Sequence, residues 1–136
     1  MSGRRLLSAV ILVTLAACGG PLKYEVRSSE TAPGADAKIV ADVNKEQNQT
    51  ELKVHANNLP PPSRVVEGSN NFVAWYRKDS KDAWTRIGSM EYDEGDRKAK
   101  LNATTPETSF DIAISVEKEP SPASPSPDIV FSQHIN

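Results

Sequence analysis

Apolar and polar residues alternate at every second position in four stretches of this chain. Leu22, Tyr24 and Val26 alternate with Lys23, Glu25 and Arg27. Ala37, Ile39, Ala41 and Val43 alternate with Lys38, Val40 and Asp42. Leu52, Val54 and Ala56 alternate with Glu51, Lys53 and His55, and Phe110, Ile112, Ile114 and Val116 with Asp111, Ala113, Ser115 and Glu117. A period of two sends successive side chains to opposite faces of a strand, so each stretch predicts a strand with one apolar and one mostly wet face. Phe72–Arg77 and Ala83–Met90 are aromatic and rich in strand formers, Ala99 and Leu101 mark a short strand, and Asp128–Gln133 reads as a last one. Outside the N-terminal run, no window carries the 3.6-residue apolar period of a helix.

Turn chemistry separates these stretches. Asn44–Gln49 joins two of them as a hairpin, and Asp79–Asp82 and Asp93–Asp96 have similar polar character. Leu59-Pro60-Pro61-Pro62-Ser63 is stiff and polyproline-like, suited to a crossing between sheets. About seven or eight short strands spaced in this way predict an all-β fold, a Greek-key, immunoglobulin-like β-sandwich. Ser28–Asp36 reads either as a loop or as part of a tether. The Pro/Ser-rich run 120–127 cannot lie inside a sheet, because each proline lacks a ladder donor. It reads as a loop before the final strand, with a C-terminal tail from Glu119 onward as the alternative.

The first 17 residues follow a different rule. Arg4 and Arg5 precede an apolar run, Leu6–Ala17, broken only by Ser8 and Thr14. At about 12 residues it is too short for a bilayer core of roughly 30 Å. A charged start, a short apolar middle and a small-residue exit form the pattern of an export signal. The exit is Leu15-Ala16-Ala17-Cys18, followed by Gly19. This resembles the lipobox of bacterial lipoproteins at every position. The resemblance implies cleavage before Cys18 and acylation of its thiol and of the new amine. Cys18 is the only cysteine in the chain, and a lone free thiol in an exported protein is otherwise a liability. Each buried CH₂ contributes about 0.8 kcal/mol, so two or three acyl chains on one residue hold a protein durably. The expected layout is a signal over 1–17, a lipidated tether over 18–21 and a sandwich domain over 22–136. Gly19, where an aspartate would retain the protein at the inner membrane, resembles the class sent to the outer membrane of two-membrane bacteria.

Composition narrows the function classes. Of 136 residues, 16 are Lys or Arg and 18 Asp or Glu. Removing residues 1–17 takes two arginines and no acid, leaving a mildly acidic body without the basic stripe of a nucleic-acid binder. One cysteine excludes both an intrachain disulfide and a multi-cysteine zinc site.

A softer resemblance covers Leu59–Phe131. In order it runs Leu59-Pro60-Pro61, the aromatic strand Phe72-Val73-Ala74-Trp75-Tyr76, Trp84-Thr85-Arg86-Ile87-Gly88, the acidic glycine turn Asp93–Asp96, Phe110–Glu117, a Pro/Ser run and Asp128-Ile129-Val130-Phe131. This layout resembles the extracytoplasmic β-sandwich domain of anti-sigma-K-type factors. That family also carries a cytoplasmic sigma-binding domain and a transmembrane helix, neither with a counterpart here. Its Gly-Gly-Ser before the last strand is Ser121-Pro122-Ala123-Ser124 in this chain. The resemblance therefore implies fold and setting, and not sigma-factor inhibition.

Candidate chemistry is sparse. His55 falls on the polar face of its strand, and His134 is two residues from the C-terminus; together they make neither a metal site nor a catalytic one. Ser132-Gln133-His134 has no nucleophile elbow and no positioned acid. Asp93–Asp96 lacks the spaced ligands of a calcium loop, and no glycine pattern cradles phosphate. Asn48-Gln49-Thr50 and Asn102-Ala103-Thr104 match the glycosylation sequon, which a bacterial lipobox makes coincidental. Neither catalytic residues nor a cofactor are expected. The aromatics are the remaining feature. Phe72, Trp75, Tyr76 and Trp84 fall close together, and Val73/Trp75 and Phe72/Ala74/Tyr76 take opposite faces of one strand. Both faces cannot lie in one sandwich core, so either one set is partly exposed or the strand is bulged. Trp75 is expected to fill the core. Phe72, Tyr76, Arg77 and Trp84 are then the candidates for binding a partner in the envelope. The expected role is a lipid-anchored, non-enzymatic binding or structural module; a sensory or accessory subunit docking through its aromatic strand is the alternative.

Overall fold

The structure, a computed structural model, describes residues 20–136; the signal-like run, Cys18 and Gly19 lie outside the described residues. The described residues form nine strands, β1 (Leu22–Arg27), β2 (Asp36–Asn44), β3 (Gln49–Asn57), β4 (Asn71–Arg77), β5 (Thr85–Ser89), β6 (Glu91–Asp93), β7 (Lys98–Thr105), β8 (Phe110–Glu117) and β9 (Ile129–Ile135). A single helical turn, α1 (Pro62–Val65), interrupts them. The expected polyproline crossing instead coils here, because Pro62 sits at the first helical position, where a missing N–H costs nothing.

The strands make two antiparallel sheets, one in the order β1-β2-β3-β7-β6 and the other β5-β4-β8-β9. Pairing of β3 with β7 across three intervening strands is a Greek-key crossing, so the protein is the all-β sandwich that the stripes predict. The ninth strand arises at Met90. The chain pairs with β4 up to Ser89, Met90 N–H donates to the Phe72 carbonyl at 2.8 Å, and the next residues pair with β7 in the other sheet. One expected strand, Ala83–Met90, thus becomes a sheet-switching corner that continues as β6.

The core lies between the sheets. Ile39, Leu52, Val54 and Ala56 from one sheet meet Phe72, Phe110, Ile112, Ile114 and Phe131 from the other, all buried. The outward residues of the five-stranded sheet are mostly charged and exposed, Lys38, Lys53, His55 and Lys100 among them. Ser28–Asp36 belongs to the body and not to a tether. Ala32 and Ala35 are buried, and Ser29 bonds the Val130 carbonyl through its N–H (2.8 Å) and the Ile129 carbonyl through its hydroxyl (2.6 Å).

The four-stranded sheet is buried on its inner face and over half of its outer one. Val73, Trp75, Ala113 and Ser115 point away from the inter-sheet core, yet each is at most 1% exposed. The cover is the β8–β9 connection. From the end of β8 it crosses to β5, where the Ser89 hydroxyl donates to the Pro120 carbonyl (3.1 Å) and Arg86 Nη1 to the Pro122 carbonyl (2.7 Å). It then returns, and Ser126 bonds Glu117 and the Val116 carbonyl. Strand β4 lies between these two attachments, so the connection passes over Val73 and Trp75 as a strap. The remainder pairs as β9, which excludes the C-terminal tail.

Candidate functional site

The strap covers one half of the outer face of the four-stranded sheet. The other half, toward the start of β8, stays open as a concavity of about 600 Å³. Its floor includes Ala113 and Ile129, and its walls carry Arg77, Trp84, Asp111 and His134. Cross-strand register assembles the charged members, because Arg77 pairs with Asp111 and Asp111 with His134. Three neighbouring strands thus place three polar side chains in one row on one face.

Asp111 is the hub of that row. Arg77 Nε donates to Oδ2 at 3.0 Å, and His134 Nδ1 lies 2.8 Å from Oδ1. A carboxylate only accepts, so Nδ1 carries the proton and Nε2 is left facing outward. Burial pushes the Asp111 carboxyl up, but hydrogen bonds from His134 and Arg77, with the Arg77 charge, outweigh it and hold it below its ordinary value. The Arg77 guanidinium carbon also lies 4.2 Å from the ring centroid of Trp84, a cation–π contact that fixes both side chains.

An Asp–His pair beside Ser132 raises the question of acid–base chemistry. Ser132 and His134 are two apart on β9, on the same face, where strand geometry separates Cβ atoms by about 7 Å. No hydrogen bond joins them among the described residues, whereas an activated serine needs its base within about 3 Å. The row is an ion-pair and aromatic cluster.

The four expected contact residues divide. Arg77 and Trp84 meet at the open concavity. Phe72 is 1% exposed in the inter-sheet core, its ring centroid 5.4 Å from that of Tyr92. Tyr76 also turns inward and meets Phe110 edge-on at 6.3 Å. The expected orientation of the β4 aromatics is therefore reversed. Tyr76 faces the core and Trp75 faces outward, buried by the strap and not by the opposite sheet. The bulge lies on the neighbouring strand β5, while β4 keeps a regular register with β8. Ala74 pairs with Gly88 and Trp75 with Arg86, leaving Ile87 as the extra residue, turned to the core. Gly88 takes φ +156° there, a backbone setting that side chains disfavour. The sequence assigns Asp111 no role beyond its strand face and offers His134 only as a metal or catalytic candidate, although both occupy polar-face positions of their strands.

Elsewhere, His55 is exposed and Asp93–Asp96 forms the turn between β6 and β7, with the Asp96 N–H on Asp93 Oδ1 (3.3 Å). Among the described residues no group of three or more His, Cys, Asp or Glu side chains is arranged to hold a metal ion. No helix among them is long and apolar enough to cross a membrane. Comparison with protein-family models, with curated proteins and with solved structures finds no match for this chain. The likeness in layout to anti-sigma-K-type factors rests on the quoted residues alone.

Proposed function

We propose that this protein is a lipid-anchored, non-enzymatic binding module of the bacterial cell envelope. The observation that carries the reading is the position of the one cysteine. It completes Leu15-Ala16-Ala17-Cys18 and stands four residues before Leu22, where the folded body begins. Acylation there would place the sandwich directly at a membrane surface, in the outer membrane if the host has two. Mass spectrometry of the membrane fraction tests this: a mature chain starting at Cys18 with acyl mass is expected, together with release of Cys18→Ser into the soluble fraction. An unprocessed, unmodified chain would sink the proposal.

The alternative, an accessory or sensory subunit that docks on an envelope protein, draws support from the Arg77–Trp84–Asp111–His134 cluster. A tryptophan stacked with an arginine is the residue chemistry enriched at protein contacts and their hot spots. On this reading Trp84→Ala weakens capture of the partner by about tenfold or more, while Lys53→Ala on the opposite sheet leaves capture unchanged.

A further inference from the structure

The outer face of the four-stranded sheet carries two tryptophan–arginine units in series. The first is Trp75 with Arg86, direct cross-strand partners on β4 and β5. The second is Trp84 with Arg77, stacked at 4.2 Å. The strap occupies the first unit, and the manner of its attachment shows what this face grips. Arg86 and Ser89 donate to the carbonyls of Pro122 and Pro120. They touch backbone and not the side chains that would distinguish one sequence from another. The strap bends as it crosses and returns, but its prolines have no N–H to pair with its own carbonyls, so these are free for such donors, and the fixed proline φ lowers the entropy lost on binding.

The second unit repeats these parts and lies on the same face. Trp84 supplies the aromatic wall, Ala113 and Ile129 the apolar floor. Among the described residues Arg77 spends only Nε, on Asp111, so its two terminal nitrogens remain as donors. The cluster pairs one arginine with one aspartate, and this balance of charge matches an uncharged stretch of chain better than an anion.

We propose that the open unit is a docking site for a proline-bearing polypeptide segment of another protein. The inference deepens the docking reading above and rests on it. The probe is a synthetic peptide with the strap's own sequence, Glu119–Pro127, titrated into the full-length ¹⁵N-labelled protein in detergent micelles. The chain has two tryptophans, so its two indole N–H signals report the two units separately. A saturable shift of the Trp84 indole with the Trp75 indole unmoved is expected, and a peptide with every proline changed to alanine should bind about tenfold more weakly. Trp84→Ala should abolish the response to the peptide, with an unchanged Trp75 indole signal reporting an intact fold. No shift at Trp84, equal binding of the alanine peptide, or movement of the Trp75 indole alone would each overturn the inference. If the peptide fails while a cross-linked envelope protein is still lost on Trp84→Ala, the docking reading survives and the proline-segment inference does not.

Discussion

Trp75 ends a short relay that terminates on one carboxylate. Its Nε1–H donates to Ser115 Oγ (2.9 Å), and the Ser115 hydroxyl donates to Glu117 Oε2 (2.5 Å), which also accepts the Ser126 N–H (2.7 Å). All three side chains of the relay are buried, so a broken link leaves a polar group without water. Ser115→Ala should therefore cost about 1–3 kcal/mol in denaturant unfolding, mostly from the stranded indole N–H. A loss near zero would show that the relay does not matter to the fold. Asp111 makes a different prediction, in pH. Its folded pKa lies below the ordinary 3.8, so its ion pair contributes stability above that value and loses it as pH falls through the folded pKa. The unfolding midpoint should fall on acidification below 3.8, and Asp111→Asn should flatten part of that slope. An unchanged slope in the variant would assign the acid sensitivity to other carboxyls.

At the scale of elements, the strap decides what the sequence could reveal. Three of the four period-two stripes, β1, β2 and β3, were legible because the inner sheet face is dry and the outer face is wet, and the fourth, β8, because its outward positions are Asp111, Ala113, Ser115 and Glu117, polar or small even where they are buried. Strand β4 gave no such signal. Phe72 and Ala74 face the core, while Val73 and Trp75 face the strap, so four successive positions are buried. A strand covered on both sides reads as a continuous apolar run and does not say which residue faces which layer. The cover comes from 120–127, about fifty residues further along the chain, where the prolines announced a loop but not its destination. The Arg77–Trp84–Asp111–His134 cluster was half legible for a related reason. Arg77 and Trp84 are close in sequence, whereas Asp111 and His134 join them only through the registers of β4 with β8 and β8 with β9. Replacing 120–127 with an equal length of Gly and Ser tests the strap directly. Tryptophan emission should shift to the red, quencher access should rise, and stability should fall by about 1–3 kcal/mol as Trp75 meets water. Unchanged emission would mean that something other than the strap buries that ring.

At the scale of the whole molecule, the two ends of the described residues lie together. Leu22, Lys45, Thr108, Ser109 and Asn136 line one concavity at one end of the sandwich, and the Asn136 N–H bonds the Tyr24 hydroxyl (3.1 Å). Register places the β4–β5 connection at the same end, since Arg77 opposes Asp111 and Phe110 opposes Ile135. The loop between β1 and β2, α1, the Glu94–Arg97 turn and the base of the strap occupy the opposite end. On the anchored reading, only Gly19, Gly20 and Pro21 separate the acylated Cys18 from β1. Such a link spans at most about 14 Å, shorter than the sandwich, so the end that carries Leu22 would stay near the bilayer and the other would point away. The open Trp84 unit would then lie on the membrane side of the body, within reach of a partner's segment emerging from the same surface. Lysine acylation on reconstituted vesicles tests this orientation. Lys45, Lys78 and Lys81, all exposed in the fold, should be modified several-fold more slowly than Lys98 and Lys118, which are exposed as well. The contrast should vanish in soluble Cys18→Ser. Equal rates on vesicles would mean that the tether does not orient the body, and protection of Lys98 and Lys118 instead would reverse which end meets the membrane.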